Sequence, residues 1–115
     1  MKSGIQFKQG EIVIVPFPFS DLSGIRQRPV LILSNLQYNK DSDDIVTCGI
    51  TSNLKNDKYS ILIDNTSLVE GILPIKSRIK IDKLFTLEKN IVKKRIGRIN
   101  KEIFQKAKEE FVKLI

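Results

Sequence analysis

The apolar runs of this chain are short, and each is bounded by residues that break helices. Gly10-Glu11-Ile12-Val13-Ile14-Val15-Pro16 is rich in β-branched residues and ends at proline, a pattern that predicts a strand. Arg28-Pro29-Val30-Leu31-Ile32-Leu33-Ser34-Asn35 opens on proline and closes on Ser-Asn. A run of that length between breakers predicts a buried core strand with a fixed cation, Arg28, at its mouth. The intervening Pro16 to Gln27 segment carries Pro18 and Gly24, which keeps it out of helix and predicts a turn able to close over a ligand. Ile45 to Thr51 and Tyr59 to Asp64 read as the third and fourth strands.

The connections are polar. Leu36 to Asp44 reads as a polar connection; its Asp41, Asp43 and Asp44 lack the Gly and distal Glu of a calcium loop and are read as a solvated turn. Ser52 to Lys58 is a second polar loop, and Asn65 to Gly71 turns the chain again. From Ile75 the sequence alternates, with Ile75, Ile79 and Ile81 on one face and Lys76, Arg78, Lys80 and Asp82 on the other. Period two predicts a strand with one face in the core and a mainly cationic face outward. Lys83 to Leu87 reads as a further short strand, and Lys93 to Ile99 as a basic turn.

Only the last segment changes period. Ile103, Phe104, Ala107, Phe111 and Leu114 fall along one side of a helix, with Asn100 as its N-cap and Glu102–Lys106 and Glu109–Lys113 as i,i+4 pairs. Short strands between turns followed by one amphipathic helix predict a mainly β fold, a small antiparallel barrel with a C-terminal helix packed on it. With 115 residues and no repeat, a single domain over 1–115 is expected.

Composition narrows the chemistry. Twenty Lys and Arg stand against thirteen Asp and Glu, a formal charge of +7, which favours a polyanion or an acidic protein segment as partner. Histidine is absent, so histidine-paired ribonuclease or protease chemistry is excluded, as are zinc sites built on His or paired Cys. Cys48 is the only cysteine; it cannot form an intramolecular disulfide and reads as a small core residue. No apolar stretch has signal-peptide or membrane-spanning length, so a cytoplasmic protein is expected.

Three groups of residues stand out as sites. Arg28 presents a permanently charged planar fork, suited to phosphate oxygens; its bland reading is a cation capping a sheet edge. Thr51 closes a strand where Ser52 and Asn53 add further hydrogen-bonding groups, although a Thr at a strand end also serves ordinary turns. Lys76, Arg78 and Lys80 suit backbone phosphates and Asp82 a proton or a base edge, against the reading of a solvated face. Arg26 and Gln27 beside Arg28, and Asn53 beside Thr51, extend this set of candidate phosphate and base contacts. Phe19 and Tyr38 are candidates for stacking on unpaired bases.

Several motifs fall in one order: Gly10-Glu11-Ile12-Val13, Gly24 leading to Arg28-Pro29-Val30-Leu31-Ile32-Leu33-Ser34-Asn35, Tyr38-Asn39 and Ile50-Thr51-Ser52. Ile79-Lys80-Ile81-Asp82 through Phe85-Thr86-Leu87 and Ile96-Gly97-Arg98-Ile99 complete them. Together they resemble the MazF/PemK family of toxin endoribonucleases. The resemblance implies an SH3-like barrel, a homodimer, sequence-specific cleavage of single-stranded RNA, and a cognate antitoxin whose acidic tail occupies the RNA groove. It places Arg28 and Thr51 at the family's catalytic arginine and threonine, Lys80 where some members have a reacting arginine, and Asp82 at a carboxylate assigned to catalysis or base contact. Lys80 departs from the pattern, as does the Pro16 to Gln27 segment. The implied reaction is attack of the RNA 2′-hydroxyl on the adjacent phosphate to give a 2′,3′-cyclic phosphate, which calls on no metal or cofactor. Two readings of other classes stay open: a non-catalytic module binding RNA or an acidic peptide on the same barrel, and a gyrase-inhibiting toxin, whose C-terminal tryptophan this chain lacks.

Overall fold

Pro29 sits near the middle of a strand, which is tolerable only where its missing N–H breaks no ladder bond. In the computed structural model, which describes residues 5–18 and 25–115, that strand is β2 (Ile25–Ile32), paired antiparallel with β1 (Glu11–Pro18) and β3 (Asp44–Thr51). β4 (Ser60–Ile63), β5 (Leu68–Gly71), β6 (Ser77–Glu88) and β7 (Lys94–Ile99) complete one sheet in the order β4-β6-β3-β2-β1-β7-β5, every pair antiparallel. Helix α2 (Lys101–Leu114) packs on β6 and β4. The mainly β fold with a C-terminal helix is as expected.

Each face of the sheet carries its own core. Ile12, Leu31, Cys48, Ile50, Ile79 and Ile81 meet Ile103, Phe104, Ala107 and Phe111 of α2 on one side. Val13, Val15, Val30, Ile32 and Ile45 gather on the other with Phe7, and Leu87, Ile91 and Val92 pack over them. Asn100 caps α2, its side-chain oxygen accepting from the Ile103 N–H at 2.8 Å.

Several expected boundaries move. The "polar connection" after Asn35 contains helix α1 (Leu36–Asp41), capped by Asn35, whose side chain accepts from the Tyr38 N–H at 2.9 Å. Buried Asn39 locks it by donating to the carbonyls of Phe7 and Ser34. Pro16 does not stop β1, because the strand continues to Pro18 against β2. Of the predicted Pro16 to Gln27 turn, both ends are strand and residues 19–24 lie outside the described part, Phe19 among them. Residues 68–71 form strand β5 rather than a turn, and the basic "turn" after Lys93 is β7. Where β5 meets β7, Gly71 faces Gly97; a Cβ on Gly71 would lie 2.0 Å from the Ile96 carbonyl oxygen, and its φ is +81°. Only glycine fits that crossing.

Lys83 to Leu87 is not a separate strand but the far half of β6. One step along β3, Cys48 to Gly49, spans Leu84 to Lys80 on β6, so Ile81, Asp82 and Lys83 bulge out of register. Ile75, expected in the core, is 60% exposed because β6 begins only at Ser77. On α2, Lys113 pairs with Glu110 at 2.9 Å instead of the expected Glu109, whereas Lys106 lies 3.8 Å from Glu102 as expected.

Candidate nucleic-acid groove

Residues opposite one another in an antiparallel pair project from the same face. Val30 lies opposite Gly49, and Gly49 opposite Lys80. Extending that register two residues sets Arg28 beside Thr51, and Thr51 is opposite Arg78. Strands about 4.8 Å apart thus align Arg28, Thr51 and Arg78 in one row, with Val30, Gly49 and Lys80 in the next. The face that is apolar core at Val30 and Ile32 becomes polar at Arg28, two residues up the same strand.

An open groove of about 410 Å³ runs over these rows. Arg28, Thr51, Asn53 and Lys80 line it, with Asp57, Lys83 and the rings of Phe17 and Phe85. The two rings stand 4.8 Å apart, tilted by 53°, an aromatic wall on a cationic floor. Gly49 leaves that floor open: a Cβ there would meet only Lys83 Cβ at 3.6 Å and Phe85 at 3.8 Å, ordinary contacts, and would project into the groove.

Thr51 does serve a turn, since its Oγ1 accepts the Asn53 N–H at 3.1 Å. A hydroxyl that accepts one bond still has its proton to donate, so the turn fixes the oxygen and leaves a donor for an incoming phosphate. Asn53 repeats the device: its Oδ1 accepts from the Lys55 N–H at 3.0 Å, leaving the amide NH₂ for a ligand. Lys80 Nζ is 2.9 Å from Asp57 Oδ2. That ammonium, through a hydrogen bond and its charge, holds the Asp57 carboxyl below the usual carboxylate range.

The other expected site residues are not groove-lining. Asp82 sits exposed on the β6 bulge; its charge adds to the burial that pushes the Cys48 thiol up, so Cys48 is an inert core group. Arg78 is turned to the β3–β4 loop, Nε donating to the Leu54 carbonyl at 3.2 Å and a terminal nitrogen to Ser60 Oγ at 3.0 Å. Lys76 is exposed near Asp64, whose carboxyl it helps hold low behind the stronger hydrogen bonds from Thr66. Arg26 and Gln27 are exposed on β2 opposite Phe17 and Pro16. Tyr38 is exposed on α1 and does not line the groove. Phe17, Asp57 and Lys83 were not anticipated as groove residues. The alternation of β1 could have placed Phe17 on the Val13 and Val15 face, but nothing in the sequence brings Asp57 to Lys80.

A small antiparallel sheet with a C-terminal helix and a cationic, aromatic-walled groove defines a class of compact, mainly β proteins with one open surface groove. The family model described as PemK-like, MazF-like toxin of type II toxin–antitoxin system matches residues 8–115, and the chain belongs to that family. Its fold is that of solved structures at low identity. A MazE–MazF complex from Deinococcus radiodurans superposes with a TM-score of 0.77 at 16% identity, covering 96% of each chain. An endoribonuclease in complex with its cognate antitoxin from a mycobacterial species gives 0.75 at 18%, covering 93% of this chain and 92% of that one. The Mycobacterium tuberculosis toxin MazF-mt6 gives 0.72 at 19%, covering 90% and 93%. A comparison with curated protein sequences finds no match. Among the described residues no helix is long and apolar enough to cross a membrane.

Proposed function

We propose that this toxin-family chain is an endoribonuclease that cleaves single-stranded RNA in the groove over β2, β3 and β6. The observation that carries the reading is the meeting of Arg28, Thr51 and Lys80 on one face of three neighbouring strands. In the proposed reaction the RNA 2′-oxygen forms a bond to phosphorus and the bond to the 5′-oxygen breaks, leaving a 2′,3′-cyclic phosphate and a 5′-hydroxyl. The 2′-hydroxyl proton leaves to water and the departing oxygen takes one up. Arg28 faces the equatorial oxygens as negative charge develops there, the largest single contribution such a site makes. Thr51 donates its hydroxyl hydrogen to the same phosphate, with its oxygen held in place by the turn hydrogen bond from Asn53. Phe17 and Phe85 stack on unpaired bases, which favours single strands over duplex.

Three finer assignments belong to the same proposal. The chain works as a homodimer in the cytoplasm, and its groove is blocked by the acidic tail of a cognate antitoxin, as its basic charge favours. Arg26, Gln27 and Asn53 contact the strand beside the scissile phosphate, and Asp82, Lys76 and Arg78 act outside the described groove. Incubation with a mixed single-stranded RNA in EDTA, beside Arg28→Ala, tests the core of this reading. Cuts at a short shared motif with cyclic-phosphate ends, absent in the variant, are expected. RNA that is bound but left intact would replace the enzyme by a binding module.

A further inference from the structure

Among the described residues, the groove is lined by three cations, Arg28, Lys80 and Lys83, and one carboxylate, Asp57. Asp57 comes from the long β3–β4 connection, and it lies against Lys80 from 23 residues away in sequence. The pair is asymmetric: the Lys80 side chain is 15% exposed and the Asp57 side chain 47%. Lys80 is anchored by its strand opposite Gly49, whereas Asp57 rides on a loop that is tied by Arg78 to the Leu54 carbonyl, by Ser60 Oγ to the Asp57 carbonyl and, at its far end, by the Ile81 N–H to the Tyr59 carbonyl. Lys83, on the same groove wall, has no ion pair among the described residues.

We infer that Asp57 is a resident substitute for a substrate phosphate: it pairs with the Lys80 ammonium and is displaced when a polyanionic strand enters the groove. An aspartate carboxylate and a phosphate oxygen present the same charged acceptor to an ammonium, so the two compete for one donor. The competition sets substrate affinity. Every strand that gains the Lys80 contact must first break a pair the protein makes with itself, so the cost falls on strands that reach Lys80 and spares those that do not. Asp57 is therefore an affinity-setting residue, distinct from the groups that act on the scissile phosphate.

The inference rests on the reading of the groove as an RNA site, and binding separates the two. A fluorescent single-stranded oligonucleotide with 2′-O-methyl sugars cannot be cut, so its affinity can be measured for the full chain, Asp57→Asn, Lys80→Met and the double variant. Asp57→Asn is expected to bind about two- to fivefold tighter, the scale of a partly exposed ion pair. Its dependence of log K on log salt should steepen by about 0.7, the value for one further phosphate contact on a single strand. Lys80→Met should cost more affinity in the Asp57→Asn background than in the parent, the coupling a competing anion creates. If the parent binds but Asp57→Asn binds equally or more weakly, Asp57 merely positions Lys80 and the inference fails alone. Absence of binding by both overturns the RNA reading and the inference with it.

Discussion

Two places in the sheet set cations against carboxylates, and they differ in what surrounds them. Between β1, β7 and β5, Glu11 is 2% exposed and takes the Lys8 N–H at 2.8 Å and the Arg95 guanidinium at 2.5 Å. Glu70 bridges Arg95 at 3.4 Å and Arg98 at 2.9 Å. A carboxylate so buried is tolerated only while its donors are in place, so that cluster belongs to the fold. Over β3 and β6, Lys80 meets an Asp57 that is half in water. That pair can open at small cost and belongs to the groove. The residue types are the same; burial of the anion decides whether a pair holds strands together or waits for a ligand.

The contrast is broken most sharply at the two arginines. Arg28→Ala should lower RNA cleavage by about 10²–10³, the usual loss on removing a donor to developing charge. Its melting temperature should stay near the parent's, because Arg28 lies inside β2 with its side chain only partly buried. Cleavage and a thermal melt on the same preparation check both; full activity in a folded variant would remove Arg28 from the reaction. Arg95→Ala should do the reverse. It strands the Glu11 carboxylate in the core with one remaining donor and should cost about 1–3 kcal/mol in a urea titration, with the folded fraction cutting at the parental rate. The half-exposed Arg95 side chain keeps that loss below that of a fully buried pair.

The groove floor offers a smaller perturbation. Gly49→Ala meets no contact shorter than 3.6 Å, so stability should hold within about 0.5 kcal/mol, the usual range of a substitution without strain. The added methyl stands between Val30 and Lys80 in the rows that face the ligand, and a rise in KM of about tenfold is expected, the low end of the effect of one methylene in a pocket. An unchanged KM would place the strand's path elsewhere.

These tests bear on residues that were unequally legible in the sequence. β2 and α2 could be read because their apolar patterns are strong: Val30, Leu31 and Ile32 are fully buried, and Ala107 marks the centre of the helix stripe. α1 was hidden because six mostly polar residues carry no period, and its stability comes from Asn39 reaching Phe7 across the fold. β7 was hidden by its own charge, since Arg95 and Arg98 look like turn residues until Glu11 and Glu70 arrive from other strands. In the site, Thr51 was visible as a strand end; Arg28, expected at the mouth of its strand, is internal to β2, which starts at Ile25 because the chain before Arg28 pairs with Pro16 to Pro18 of β1. The cationic stripe was visible but misleading, because Arg78 and Lys80 are engaged by the β3–β4 loop. The bulge that carries Asp82 outward is a register event between β3 and β6 that period-two counting cannot detect.

Acid separates Asp57 from a second surface carboxylate, Asp64, by the smallest effect. Asp57 is held below the ordinary carboxylate range by Lys80, and Asp64 by its hydrogen bonds from Thr66. For a carboxyl whose folded value is depressed, the folded state binds fewer protons than the unfolded one as pH falls. The stability it contributes is therefore fully present above the unfolded value, about 3.9, and is lost as pH drops through the folded value. Side-chain carboxyl NMR across pH 2–6 should show both titrating below ordinary aspartates, with Asp57 moving back toward the ordinary range in Lys80→Met and Asp64 unmoved. Because both groups are at the surface, the accompanying change in urea midpoint should be slight, and salt should shrink the Asp57 shift more than that of Asp64. The first depends mainly on an ammonium that a neighbouring ion can screen, the second on a Thr66 hydroxyl and a backbone N–H held in the 3₁₀ turn 65–67.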